Sequence, residues 1–330
     1  MDARPDGLAS FFIFLLLTEA GKYAIIEHVR ESFVMKKMLF IYNPRAGRGR
    51  VRDELADILD IFASGGYEIT IAPTRKNGDA VKTAAEREAD FDIVVCCGGD
   101  GTLDETVRGM MRNDYRTPLG YIPAGSTNDF GGSLALPKDM LKSAHIIVDG
   151  TNKAVDVGLF NNEAFVYVAA FGAFTEVSYS TDQDMKNAIG HSAYLLEGVK
   201  SFGKIKPQHM KIEHDGEVIE DDFIYGMVTN SISVGGIKGI TGENVDLADG
   251  VFEVNLIREL KNPLEFQQLL SALAIGKYEY SENIVSFRSG NIKIESDEEV
   301  AWTLDGENGG KHTKVEIINV PKAIDIRVAK

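Results

Sequence analysis

A short apolar run, Ile93-Val94-Val95-Cys96-Cys97, passes directly into Gly98-Gly99-Asp100-Gly101-Thr102. Glycines let the backbone turn sharply and come close to a ligand, and a helix opening near Thr102 would aim its unpaired N–H groups at the same point. Asp100 offers hard oxygen to a magnesium ion or to the water around one, and Thr102 offers a donor to a phosphate oxygen. The set is suited to holding a nucleotide's phosphates. The plainer reading of the same residues is a strand-to-helix turn with Asp as its N-cap.

Three other stretches carry similar chemistry. In Asn43-Pro44-Arg45-Ala46-Gly47-Arg48-Gly49-Arg50 the proline fixes the chain direction, the glycines open the backbone, and the arginines supply charge-assisted donors. Taken alone, a solvated basic loop is the plainer reading. Thr74, with Gly78-Asp79 behind it, and the run Ile122-Pro123-Ala124-Gly125-Ser126-Thr127-Asn128-Asp129-Phe130-Gly131 add small polar side chains that can line a nucleotide cleft. Singly, each is a cap or a turn.

The elements that must position these loops follow a regular pattern. Strand signals at 38–42, 68–72, 93–97 and 119–122 alternate with helical periods at 52–63, 79–88 and 103–111, which predicts a parallel α/β domain. Ligands in such sheets sit beyond the carboxyl ends of the strands, where all four loops fall. After about residue 155 short Val-, Phe- and Tyr-bearing strands take over, at 164–171, 211–213, 223–229, 252–257 and 292–295. They predict a second, largely antiparallel domain. Two helical periods interrupt it, at 193–202 and 263–275, and the Phe266, Leu269, Leu270, Leu273 face of the latter reads as core rather than membrane-inserted.

Composition limits the partners. The 330 residues carry 35 Lys plus Arg against 50 Asp plus Glu, a net charge of −15, which argues against nucleic acid. Attraction to an anionic membrane needs a local basic patch, and Lys200, Lys204, Lys206 and Lys211, with Phe202 and Ile205 between them, could supply one; a solvated surface is the plainer reading. Cys96 and Cys97 are the two cysteines, adjacent and on opposite strand faces, so they make neither a disulfide framework nor a metal-ligand spacing. A reducing, cytoplasmic compartment fits. The apolar run at 11–17 is far shorter than the ~20 residues of a membrane span and lacks the flanks of a signal peptide. Met35 leads straight into a strand pattern, so residues 1–34 read as an N-terminal extension of the frame, with Met35 as the start.

With these motifs the sequence resembles the bacterial diacylglycerol-kinase-like lipid kinases, relatives of the sphingosine kinases. The resemblance runs from about Lys36 to the C-terminus. It rests on Asn43 to Gly47, the Gly-Gly-Asp-Gly-Thr loop at 98–102, Pro123 to Phe130, Asp249-Gly250 and Leu304-Asp305-Gly306-Glu307. The 98–102 motif alone is shared with NAD kinases and, in a close variant, with phosphofructokinases.

The resemblance implies a Rossmann-like ATP-binding domain at 35–155, completed by about 319–330, and a β-rich sandwich for the lipid at 156–318, with a deep cleft between them. It places Asn43, Pro44, Arg45, Ala46, Gly47, Arg48, Thr74, Gly98, Gly99, Asp100, Gly101, Thr102, Leu103, Asp104, Glu105, Ser126 and Asp129 around ATP. Asp100 and Asp129 would belong to the Mg²⁺ and water network at the phosphates. A second, structural Mg²⁺ site would take the Asp249 side chain and the carbonyl oxygens of Asp246 and Val251; an ordinary Asp-Gly turn is the plainer reading of that loop. Glu307 occupies the family's general-base position. Ala46, Ser126 and Asp104 stand where serine, threonine and asparagine are common. The implied activity is transfer of the γ-phosphoryl group of ATP to a lipid hydroxyl, foremost that of diacylglycerol presented at a membrane surface. The protein would be peripheral at the inner face of the membrane, with a homodimer among the assemblies the resemblance allows. NAD kinase, or a lipid binder that keeps a kinase-like fold without activity, are the competing readings.

Overall fold

Alternating strands and helices open the chain in the computed structural model, which describes residues 35–113, 116–172, 206–238, 241, 245–262, 264–266, 268–269 and 281–330. Strands β1 (Lys36–Tyr42), β2 (Tyr67–Pro73), β3 (Ile93–Gly98) and β4 (Leu119–Pro123) run parallel in the order β2-β1-β3-β4. Helices α1 (Arg50–Ser64), α2 (Asp79–Arg87) and α3 (Asp100–Met110) follow β1, β2 and β3 in turn.

The strands' period of two supplies both faces with apolar groups. Met38 and Phe40 pack with Val51, Ile58 and Phe62 of α1, whereas Leu39 and Ile41 pack with Ala80 and Ala84 of α2 and Leu103 and Val107 of α3. Cys97 takes the first face and Cys96 the second. Both thiols are buried and free, and burial pushes both upward, Cys96 to about 12, so neither is a nucleophile near neutral pH.

After β4 come the short α4 (Asp129–Ser133) and α5 (Met140–Asp149). Sequence periodicity did not predict α5, although Asp139 caps it by accepting the Lys142 N–H at 2.9 Å. Met140, Ala144 and Ile147 then join the α1 side of the sheet.

From residue 151 onward the strands are β5 (Thr151–Phe160), β6 (Glu163–Phe165), β7 (Val168–Gly172), β8 (Gln208–His214), β9 (Glu217–Thr229), the two-residue pair β10 (Ser233–Val234) and β11 (Ile237–Lys238), β12 (Phe252–Arg258), β13 (Ile284–Ser289), β14 (Asn291–Leu304) and β15 (Glu307–Val328). Their mutual pairings are antiparallel. Trp302 lies between Phe160 and Phe171, with ring centroids 5.0 and 4.9 Å away, at the centre of this second core. Phe266 and Leu269 are buried with Ile224, Ile257 and Leu260, as a core face requires. The predicted helix at 193–202, Lys200, Lys204, and the Leu270 and Leu273 positions lie outside the described residues.

β15, 22 residues long, is the seam. It pairs with β14 from the Leu304–Glu307 turn onward, then with β5, and at Ile326 it lies parallel to Leu119 of β4. The register with β5 shifts between Val320 and Ile324, where Lys322 takes a left-handed φ of 51° next to Pro321. Among the described residues thirteen strands thus share one sheet, with β13-β12-β9-β7-β14-β15-β4-β3-β1-β2 as its main path. One apolar cluster runs unbroken from Leu39 and Val94 through α3 to Val155, Val166, Tyr167 and Met227.

Candidate active site

Three loops at the carboxyl ends of β1, β3 and β4 meet at their glycines. A methyl group added at Gly125 would lie 2.6 Å from Gly99 Cα, one at Gly47 would lie 2.9 Å from the Ala124 carbonyl oxygen, and one at Gly98 would lie 2.5 Å from Thr102 Oγ1. At Gly125 and Gly47 backbone therefore approaches backbone at distances that leave no room for a side chain, and at Gly98 the Thr102 side chain takes the space. The Asn43 N–H donates to Cys97 O at 2.9 Å and the Ala124 N–H to Gly98 O at 2.8 Å, tying the loops in register. Asn43 Oδ1 accepts the Arg45 N–H at 2.9 Å. Asn128, left-handed at φ 54°, closes the last loop by accepting the Gly125 N–H and donating to Gly125 O, each at 2.8 Å.

Asp100 opens α3 beneath these loops. Burial, and the neighbouring Asp129 charge, push its carboxyl up to about 6, while backbone N–H groups of Asp129 and Phe130 donate to it and oppose the rise. Its Oδ1 is buried without a hydrogen-bond partner among the described residues. An orphaned carboxylate oxygen beside a second carboxylate fits a divalent cation. Asp129 itself is buried and holds the second domain: Ser233 Oγ donates to its Oδ1 at 2.7 Å and the Gly236 N–H at 3.0 Å. Ser133 and Ser231 hydroxyls, 2.8 Å apart, reinforce that seam. Sequence reading missed Ser231, Ser233 and Gly236, because a contact across about a hundred residues leaves no local pattern.

Glu307 stands at the start of β15, exposed, and its Oε1 would lie 3.6 Å from a methyl group added at Gly101. The acid contributed by the second domain and the glycine loop contributed by the first are therefore neighbours. Asn43 to Arg48, Gly98 to Thr102, Ser126 and Asp129 all belong to the three converging loops or their edges. Thr74 closes on the same end, its N–H donating to Tyr42 O at 2.9 Å.

Three of the residues expected around ATP have other engagements. The Leu103 side chain is buried in the core and its N–H donates to Gly99 O at 3.1 Å. Glu105 accepts the N–H groups of Gly78 at 2.7 Å and Ala80 at 3.2 Å, holding the start of α2. Asp104 is buried and interacts with Asp305 and Arg108.

At the loop 246–251, Asp249 Oδ1 accepts its own loop's Val251 N–H at 3.2 Å, and Oδ2 is paired with the Arg288 guanidinium. Arg288 Nε also lies 3.3 Å from Glu253 Oε1, and burial pushes the Glu253 carboxyl up to about 7. Among the described residues no group of three or more His, Cys, Asp or Glu side chains could hold a metal. A magnesium ion at Asp249 would therefore compete with a guanidinium already seated there. Fully buried Asp156, also missed from sequence, braces this loop by accepting the Gly250 and Lys322 N–H groups at 2.7 Å each. We expect Arg288→Ala to melt a few degrees lower than the parent in chelator, and millimolar Mg²⁺ to restore it while moving the parent less. Equal cation responses in thermal denaturation would refute that competition.

The lysines of the proposed basic patch that are described are paired: Lys206 with Glu298 and Lys211 with Glu213. Among the described residues no helix is long and apolar enough to cross a membrane.

Comparison with known proteins agrees with this architecture. Residues 37–160 match the family model described as diacylglycerol kinase catalytic domain, and residues 168–328 match the YegS C-terminal NAD kinase beta sandwich-like domain. The chain is 32% identical over 298 residues to a diacylglycerol kinase of Bacillus subtilis, covering 90% of this chain and 97% of that protein. It is 32% identical over 292 residues to a diacylglycerol kinase of Staphylococcus aureus, covering 88% and 92%. A crystal structure from Bacillus anthracis, of a protein assigned as a diacylglycerol kinase, superposes with a TM-score of 0.76 at 28% identity, covering 89% of this chain and 95% of that one.

Proposed function

Since the chain belongs to the diacylglycerol kinase family and is a lipid kinase, we propose that it transfers the γ-phosphoryl group of ATP to the free hydroxyl of diacylglycerol, yielding phosphatidic acid and ADP. The observation that carries this reading is the Glu307 carboxylate beside Gly101, where the three glycine loops converge.

In this mechanism the backbone N–H groups and arginines of the loop at 43–50, with the loops at 98–102 and 124–128, hold the triphosphate. Asp100 and Asp129 would hold Mg²⁺, which when bound neutralises charge on the phosphate oxygens. Glu307 takes the proton of the lipid hydroxyl as its oxygen bonds to the γ-phosphorus. The bond from that phosphorus to the bridging oxygen breaks, and its electron pair leaves with ADP. The lipid reaches the cleft from a membrane surface, to which the protein binds peripherally.

The test is phosphoryl transfer from labelled ATP to diacylglycerol vesicles or to NAD, with and without Mg²⁺. We expect labelled phosphatidic acid, formed with Mg²⁺ and not with chelator. Labelled NADP would establish the competing kinase, and binding of both substrates without transfer would establish a lipid binder.

A further inference from the structure

The second domain reaches the nucleotide loops through a tight hairpin. β10 and β11 pair Val234 with Ile237, and the two residues between them, Gly235 and Gly236, have positive φ of 61° and 79°, as a two-residue hairpin turn requires. Its tip rests on the loop after β4. A methyl group added at Gly236 would lie 3.6 Å from Thr127 Cγ2.

Behind the tip the hairpin grips both ends of α4. At the start, Asp129 Oδ1 accepts the Ser233 hydroxyl at 2.7 Å and the Gly236 N–H at 3.0 Å. At the end, Ser133 Oγ accepts the Ile232 N–H at 3.1 Å and lies 2.8 Å from Ser231 Oγ. Ser231 Oγ donates to Ser233 O at 2.7 Å, which braces the hairpin itself. α4 passes the constraint on, because the N–H groups of Asp129 and Phe130 donate to Asp100.

Two donors on one oxygen of a buried carboxylate fix its orientation. Asp129 Oδ2 meets, among the described residues, only the same Gly236 N–H at 3.3 Å, and is the oxygen left for a ligand. We propose that Ser233 is a positioning residue for the ATP phosphates: a hydroxyl of the second domain that holds the Asp129 carboxylate of the first in one orientation. The phosphate site is thereby complete only with the hairpin seated on it. Ser133 makes the contrast, since it ties the same hairpin to the same helix without touching the Asp129 carboxylate.

The proposal rests on the reading that these loops hold ATP, and the experiment separates the two. The full chain is compared with Ser233→Ala, Ser233→Thr, Ser133→Ala, Asp129→Asn and the Ser233→Ala, Asp129→Asn double variant. The measurements are affinity for a fluorescent ATP analogue with Mg²⁺, KM for ATP and for diacylglycerol, kcat, and melting temperature. We expect Ser233→Ala to bind the analogue about 10-fold more weakly and to raise KM for ATP in step, with KM for diacylglycerol within about twofold of the parent's. Ser233→Thr keeps the hydroxyl and should bind within about threefold of the parent. Ser133→Ala should lower the melting temperature as Ser233→Ala does, yet keep its ATP values within about twofold. In the Asp129→Asn background Ser233→Ala should cost no more than about twofold further, because the carboxylate it positions is gone. Parent-like affinity in Ser233→Ala, a Thr variant as weak as Ala, equal losses in the two serine-to-alanine variants, or an undiminished loss in the Asp129→Asn background overturns the proposal. A parent chain that does not bind the analogue overturns the ATP reading itself, and the proposal with it.

Discussion

We expect exchange of Glu307 for glutamine to lower phosphoryl transfer to diacylglycerol by roughly 10²–10⁴-fold, the usual contribution of a positioned general base. The amide keeps the size of the side chain and takes away its ability to accept the hydroxyl proton. Because Glu307 is exposed in a turn, with its neighbours Leu304 and Asp305 holding the backbone, the change leaves the fold intact and alters stability by less than about 0.5 kcal/mol. In the proposed mechanism the nucleotide is held by loops of the other domain, so we expect affinity for ATP to stay near that of the parent. Transfer of labelled phosphate and binding of a fluorescent ATP analogue, measured on the same preparation, check both halves. Turnover equal to the parent's removes Glu307 as the base; joint loss of transfer and nucleotide binding assigns it to the binding site instead.

The parallel domain was legible because its chemistry is local. The strand signals at 38–42, 93–97 and 119–122 are apolar on both faces, those at 38–42, 68–72 and 93–97 are each followed by a helical period, and the glycine loops fall at the carboxyl ends, where such sheets bind ligands. The loops' mutual contacts were not legible, since Gly125 against Gly99 and Gly47 against Ala124 join separate parts of the chain. β15 was seen only in its last residues, because Pro321 and left-handed Lys322 interrupt a run that nonetheless continues as one strand from Glu307 to Val328. β5 was read as a boundary, although Val155 and Val157 alternate into the core. In the site, resemblance supplied the role proposed for Glu307 but was silent on what holds it. Asp305 entered only as part of the Leu304 to Glu307 motif, and only the fold brings Val166, Tyr167 and Val168 to its carboxylate. Similarly Asp104 and Glu105 stand next to the phosphate loop in sequence, yet the helix turns one to Asp305 and the other to the start of α2.

Asp100→Asn separates stability from activity in opposite directions. In the nucleotide-free protein the Asp100 carboxyl is raised from 3.8 to about 6, chiefly by burial and then by Asp129, so the folded state binds a proton that the unfolded chain gives up. The resulting penalty on folding is absent below about pH 4, builds between about pH 4 and 6, and is complete above that. A neutral amide escapes it. We expect Asp100→Asn, free of ATP and Mg²⁺, to be more stable than the parent above pH 6 by on the order of 1–3 kcal/mol, with the difference shrinking towards pH 4. We expect phosphoryl transfer by the same variant to fall roughly 10³-fold, because in the proposed mechanism the uncompensated charge that destabilises the empty site is the one that would hold Mg²⁺. Melting curves across pH and labelled transfer at saturating Mg²⁺ give the two readings. Retained transfer would free Asp100 from any part in the phosphate site, and a stability difference that ignores pH would mean that its burial is relieved by a partner other than a proton.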